Sequence, residues 1–324
     1  MAVELRREGL HLSGTTLALD ARRRAQLSFV SHAHADHIAR HERTIATAAT
    51  LRLMAHRLGP LSAPLSVPFR RPFALGRLTL ELLPAGHILG SAQLRVTRPD
   101  GRRVVYSGDL NLSPALTAEP AEVAHCDTLV LESTFGHPRY SFPERAAVLR
   151  SVEAWVRAVL ARDATPVVLG YALGKAQEAV AHLTRAGLPV VAHGSVCDIA
   201  VLYRELGVEL GEVRRFDGTW RPGEVGVFPP HAWRFERLPR PRPHQTAVLT
   251  GWAADPGAAR RYRADVAFAL SDHADCRTLV EYARATGARE VVTHHGFARE
   301  LARELCRAGL EARVLGERHQ LSLF

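Results

Sequence analysis

The chain has 324 residues, 47 % hydrophobic and 23 % charged, enough for one large or two medium soluble domains with a buried core. No apolar run approaches the ~20 residues that span a bilayer, and the start MAVELRREGLHLSG lacks the apolar segment of a secretory signal, so a cytoplasmic protein with no membrane contact is expected. The net charge of +9, with Lys175 the sole lysine among 42 basic residues, favours a polyanionic partner such as nucleic acid.

The N-terminal third reads as short strands joined by loops: LHLSGTTLALD, AQLSFVSH, LTLELLPAGH, AQLRVTRPDG, RRVVYSGD and TLVLEST. Several end in His, Asp or Glu, and polar groups on loops held by a rigid sheet are a common way to build a site. From about Phe142 the character changes. PERAAVLRSVEAWVRAVLARD has helical periodicity, and PVVLGYALGKAQEAVAHLTRAG and LPVVAHGSVCDIAVLYRELG each give a strand, a turn and a helix. RFERLPRPRPH reads as a Pro- and Arg-rich linker, and TAVLTGW as a further strand. FALSDHADCRTLVEYARATG and REVVTHHGFARELARELCRAG then return to strands ending in His, followed by helices. The expected organisation is one domain, 1–141 with 265–324, split by an inserted domain over 142–264.

Cys126, Cys197, Cys276 and Cys306 form no C-x-x-C pair, so any metal should be held by nitrogen and oxygen. His32-Ala33-His34-Ala35-Asp36-His37 places four strong ligands in six residues after the apolar strand LSFVS. Histidines two apart can point together from an extended loop end, with Asp36 and His37 at the expected start of a helix. Imidazole with carboxylate suits zinc, with manganese or iron as alternatives. His87 in PAGHILGSAQ, Asp109 in VVYSGDLN and His295 in VTHHGF lie at comparable strand ends, and a carboxylate such as Asp109 can bridge two cations ~3.5–4 Å apart. From spacing alone, His294 and His295 are equal candidates for the last ligand.

H-x-H-x-D-H followed by single His, Asp and His positions resembles the metallo-β-lactamase fold. The resemblance implies an α/β fold, an αββα sandwich with a dinuclear zinc site at one edge. His32, His34 and His87 would hold one metal and Asp36, His37 and His295 the other, with Asp109 bridging. His295 is selected over His294 because the family's strand ends in a small apolar residue, then His-Gly. Asp20, ending LALD, matches an early aspartate that supports the ligand loop.

Glu132 in LVLESTFG, together with GYALGKAQE and LSDHADC, resembles the β-CASP group, the nucleic-acid-processing branch of this fold. LESTFGHPRYSFP, GYALGKAQ, LTGW and LSDHADC look closest to the bacterial ligase-associated DNA exonucleases, also described as mRNA 3′-end processing factor-like. This implies a two-metal phosphodiesterase acting on DNA in repair, in which a hydroxide held between the metals attacks phosphorus. Asp36 would serve both as ligand and in catalysis, His273 would protonate the leaving oxygen, and Glu132 would orient it. A partnership with a DNA ligase is part of the same implication. A histidine at the position of His295 is instead the habit of RNA-processing members, which keeps a ribonuclease as the alternative. Lys175, His193 and Ser195, at the starts of two helices, are candidates to grip the nucleic-acid backbone. Trp155, Trp220, Trp233 and Trp252 are expected as core or interface residues rather than as base-stacking platforms.

Overall fold

Alternation along the strands decides which faces of the sheets are buried and against what. In the computed structural model, which describes residues 2–316, the chain divides into two units. One joins the chain up to Leu112, Glu119–Ser141 and the stretch from His273 onward; the other holds Ser113–Ala118 and Phe142–Asp272.

The first unit contains two sheets among its described residues. Strands Val3–Arg6, Gly9–Leu12, Leu17–Leu19, Leu27–Phe29, Thr44–Ala46 and Pro64–Ser66 lie side by side in chain order. The second sheet runs Glu311–Val314, Glu290–His294, Thr128–Glu132, Arg103–Tyr106, Ala92–Thr97, Leu78–Pro84 and Phe73–Leu75. Leu12, Leu17, Leu19, Phe29 and Ile45 of the first sheet share a core with Leu80, Leu82, Leu94, Val104, Val130 and Val292 of the second. The intervening residues Val105, Leu129, Leu131 and Val291 point the other way and pack on Leu279, Tyr282, Leu301 and Leu305 from helices Cys276–Ala285 and Ala298–Arg307. Both faces of the second sheet are thus covered, as central parallel strands require. Asp275 caps the first of these helices, accepting the Thr278 amide at 2.9 Å. Helix Ala48–Leu58 buries Leu51, Leu53 and Met54.

The register brings strand ends together. Leu19 pairs with Phe29 in parallel, so Asp20 and the segment entering His32 leave the first sheet at one edge. In the second sheet Tyr106 pairs with Val130, and Glu132 with His294, which puts Asp109, Glu132 and His295 just beyond neighbouring strand ends.

The second unit is built on one parallel sheet ordered Val213–Arg215, Val190–Ala192, Val225–Phe228, Thr165–Leu169, His244–Leu249, Val266–Phe268. Helices Arg145–Leu160, Lys175–Arg185 and Gly194–Glu205 cover one face through Val152, Val156, Val180, Leu183 and Val196. Trp233 is buried on the opposite face with Phe228, and Trp220 packs there too. The expected domain boundary after residue 264 falls too early: Val266–Phe268 hydrogen-bonds along His244–Leu249 as the sheet's edge strand, so this unit runs to Asp272.

A buried ion network ties this unit together. Arg145 Nε lies 2.6 Å from Glu178 Oε1, a second guanidinium nitrogen reaches Glu178 Oε2, and Asp272 Oδ1 is 3.2 Å from Arg145. Lys175 Nζ is 2.6 Å from Asp272 Oδ2. Lys175 is therefore not the exposed amine expected to grip a polyanion: it is buried and neutralised by a carboxylate 97 positions away in sequence.

Removing one member of a buried pair leaves an uncompensated charge, at a cost of roughly 3–5 kcal/mol. Arg145→Met should lower the urea midpoint accordingly, while Arg145→Met with Glu178→Met should regain most of the loss. An unchanged midpoint in the single variant would contradict the network's role.

Candidate metal centre

Asp109 is the point on which the site converges. It follows Gly108, which has φ +56, and a Cβ there would lie 2.6 Å from the Ser31 Cβ. Gly86, immediately before His87, has φ +74, and its Cβ would lie 2.0 Å from the Asn111 carbonyl oxygen. Two ligand-bearing turns thus pack closer than any side chain would allow.

The Asp109 Oδ2 atom is ringed by imidazoles: His32 Nε2 at 3.4 Å, His37 Nε2 at 3.5 Å, His87 Nε2 at 3.6 Å and His273 Nε2 at 3.9 Å. His87 Nε2 is also 2.9 Å from His34 Nδ1. Ligand atoms of His32, His34, His87 and Asp109 all lie within 4.8 Å of one another, as do those of Asp20, His32 and His37, and of Asp109, Glu132 and His273.

His32, His37 and His273 are each aimed by a partner on the far side of the ring. Asp20, at φ +48, accepts from the Ser31 amide and hydroxyl at 2.6 Å, from the Tyr106 hydroxyl at 2.8 Å and from His37 Nδ1 at 2.9 Å. The Ser31 hydroxyl lies 2.9 Å from His32 Nδ1. His32 and His37 consequently present Nε2 to Asp109, and both atoms are buried without a hydrogen-bond partner. Unpartnered buried nitrogens are costly unless something else meets them, so the donor set fits a divalent cation.

The electrostatics agree. Burial, then the neighbouring His37 and His87, pulls His32 well below its ordinary pKa and leaves it neutral, as a ligand must be. Burial also works against a charge on His37, but Asp109 and Asp20 prevail and push it up to about 10. The carboxylates draw a positive charge to the place where a cation would supply one. Glu132 is fully buried, which alone would raise it, yet His273 and hydrogen bonds from the Leu110 and Thr134 amides hold it at about 2. Its Oε1 lies 3.0 Å from His273 Nδ1.

The other sequence candidates are placed less tightly. Asp36 and His37 occupy a turn closed by the His37 amide on the His34 carbonyl, not the expected helix start. The Asp36 side chain is 54 % exposed with Oδ2 3.7 Å from His37 Nε2. His295, at φ +66, is exposed on the groove that Asp36, His37 and Asp109 also line, its ring 6.5 Å from that of His37. His294 is half-buried and stacked on Tyr106 at 5.5 Å, its buried Nε2 also lacks a hydrogen-bond partner, and desolvation lowers it to about 4. In the second unit, His193 caps helix Gly194–Glu205 by accepting the Ser195 amide at 3.2 Å and meets Glu236 at 3.1 Å. Ser31 and Tyr106 were invisible to the motif: nothing in VSH or VVYSGD marks a hydroxyl that will meet Asp20.

A family model described as a β-lactamase superfamily domain matches residues 15–169. A probable DNA ligase of Opitutus terrae is 39 % identical over 97 % of this chain and 31 % of its own length. The 5′ exonuclease Apollo of Gallus gallus is 33 % identical over 52 % of this chain and 39 % of its own. An RNase J-like protein of Methanocaldococcus jannaschii is 30 % identical over 37 % and 30 %, respectively. The chain thus spans between 30 % and 39 % of the length of these relatives. A crystal structure of a protein of unknown function from Enterococcus faecalis superposes with a TM-score of 0.61 at 15 % identity, covering 90 % of this chain and 79 % of that one, and so shares its fold. Domain model, relatives and fold agree with the layered sheets and the histidine-ringed carboxylate: the chain carries a β-lactamase superfamily domain over residues 15–169, and its relatives include proteins named as nucleases.

Proposed function

We propose that this protein is a metal-dependent phosphodiesterase of the β-CASP branch that hydrolyses DNA as an exonuclease in repair. The observation that carries the reading is the Glu132–His273 pair, whose imidazole turns Nε2 to within 3.9 Å of Asp109 Oδ2. A small-molecule hydrolase could operate with the histidine cluster alone; a buried carboxylate positioning one further imidazole beside it suits departure of a poor alkoxide leaving group.

In this reading His32, His34 and His87 would hold one divalent cation and Asp36, His37 and His295 a second, with Asp109 available to both; zinc would suit the nitrogen-rich set, with manganese as alternative. When bound, such ions lower the pKa of water and neutralise charge developing at phosphorus. Asp20 fixes His37, and Ser31 fixes His32, so that neither ring spends free energy on orientation when the substrate arrives. Glu132 accepts from His273 Nδ1 and leaves Nε2 to pass a proton to the departing sugar oxygen as the P–O bond breaks.

DNA is favoured as substrate by the relative named a probable DNA ligase, which matches nearly the whole chain, and by the relative named an exonuclease. Cooperation with a DNA ligase, and a place in the cytoplasm, belong to the same reading. The second reading, an RNA-processing enzyme, is favoured by His295 and by the RNase J-like relative. His193 and Ser195 remain proposed backbone contacts of the second unit.

His273→Ala should retain wild-type metal content while kcat on labelled single-stranded DNA falls about 10²- to 10⁴-fold; full activity would remove His273 from the mechanism. His295→Ala should bind about one cation in place of two, whereas His294→Ala should keep both. The reverse pattern by elemental analysis would exchange their roles. Parallel digestion of 5′- and 3′-labelled DNA and RNA of one sequence decides the sugar: faster cleavage of RNA would overturn the DNA assignment.

A further inference from the structure

The groove at the metal centre, about 400 Å³, is walled on one side by Asp36, His37, Asp109 and His295. Its lining also includes Arg6, Arg7, Arg22 and Arg23, from the turn between strands Val3–Arg6 and Gly9–Leu12 and from the loop after Asp20. All four arginines are exposed. Arg6 is engaged by Glu4, with Nε 2.7 Å from Oε1. Arg7, Arg22 and Arg23 have no acidic partner in ion-pair range among the described residues, and the groove lining also holds the carboxylates Glu8, Asp20, Asp36 and Asp109.

Arg7, Arg22 and Arg23 line one groove without an ion pair of their own, and together they give its lining a positive potential that attracts an anion. Guanidinium forks match phosphate oxygens in geometry as well as charge. The groove volume falls within the range of about 300–1,000 Å³ usual for ligand sites.

We infer that Arg7, Arg22 and Arg23 form a phosphate-binding rim that holds the backbone of a nucleic-acid strand beside the scissile bond. This rests on the phosphodiesterase reading above and adds where the strand lies within the first unit. The rim reads charge rather than bases, so its grip is independent of sequence and weakens with salt.

The test measures binding of a fluorescein-labelled, phosphorothioate single-stranded oligonucleotide to the metal-loaded protein over a salt series. It is paired with hydrolysis of bis(p-nitrophenyl) phosphate, which has no flanking phosphates. The groove variant Arg7→Gln/Arg22→Gln/Arg23→Gln should bind about 100-fold more weakly at ~0.1 M salt, its log–log salt slope shallower by about 2, with hydrolysis of the small diester retained. A charge-matched control, Arg71→Gln/Arg77→Gln/Arg289→Gln, removes three exposed arginines that do not line the groove and should lose far less. Equal affinity and slope in the groove and control variants would overturn the rim while leaving the phosphodiesterase reading intact. A wild-type protein that binds no oligonucleotide would overturn both. Should the triple variant lose small-diester hydrolysis through misfolding, Arg22→Gln alone decides: a slope lower by about 0.7 supports the rim, and no change refutes it.

Discussion

One buried carboxylate governs the organisation of the first unit. Asp109 is 6 % exposed and has four imidazole nitrogens within 3.9 Å of a single oxygen. A lone anion so placed would be costly to bury, and four rings meeting there would be costly to orient. The fold meets both demands by bringing strand ends to one edge. Asp20 beside the entry to His32, and Asp109, Glu132 and His295 beyond neighbouring strands, are consequences of parallel pairing in two sheets. Gly86 and Gly108 then let the connecting turns close to distances that a Cβ would forbid.

The outer ring of contacts explains why the rings point inward. Asp20 collects four hydrogen bonds, from Ser31 twice, Tyr106 and His37, and Ser31 also meets His32. Glu132 does the same for His273 while its other contacts are backbone amides. The two carboxylates thus play parallel parts on different imidazoles. One steadies a proposed ligand and the other a proposed proton donor.

Legibility in the sequence followed the range of the interactions. His32, His34, Asp36 and His37 announce themselves because their spacing is local, and the strands around them alternate or run apolar as their burial demands. The pairing partners of Lys175 and Arg145 are distant in the chain, so Lys175 read as a surface cation when it is a buried structural one. Val266–Phe268 looked like the start of the returning domain because a short strand carries no mark of which sheet it will edge. The turn at Asp36 was expected as a helix since its residues permit one; the His34 carbonyl takes the His37 amide and closes a turn there. The arginine rim was hidden for a similar reason: Arg6 and Arg7 are separated in sequence from Arg22 and Arg23 and come together through antiparallel pairing of Gly9–Leu12 with Leu17–Leu19.

The central claim is that Asp109 sits between two cations. Anomalous diffraction from crystals grown with zinc measures this directly. Two peaks about 3.5–4 Å apart are expected, one beside His32, His34 and His87 and the other beside Asp36, His37 and His295, with Asp109 in bonding distance of both. A single peak, or a pair that leaves Asp109 outside bonding distance of either ion, would contradict it.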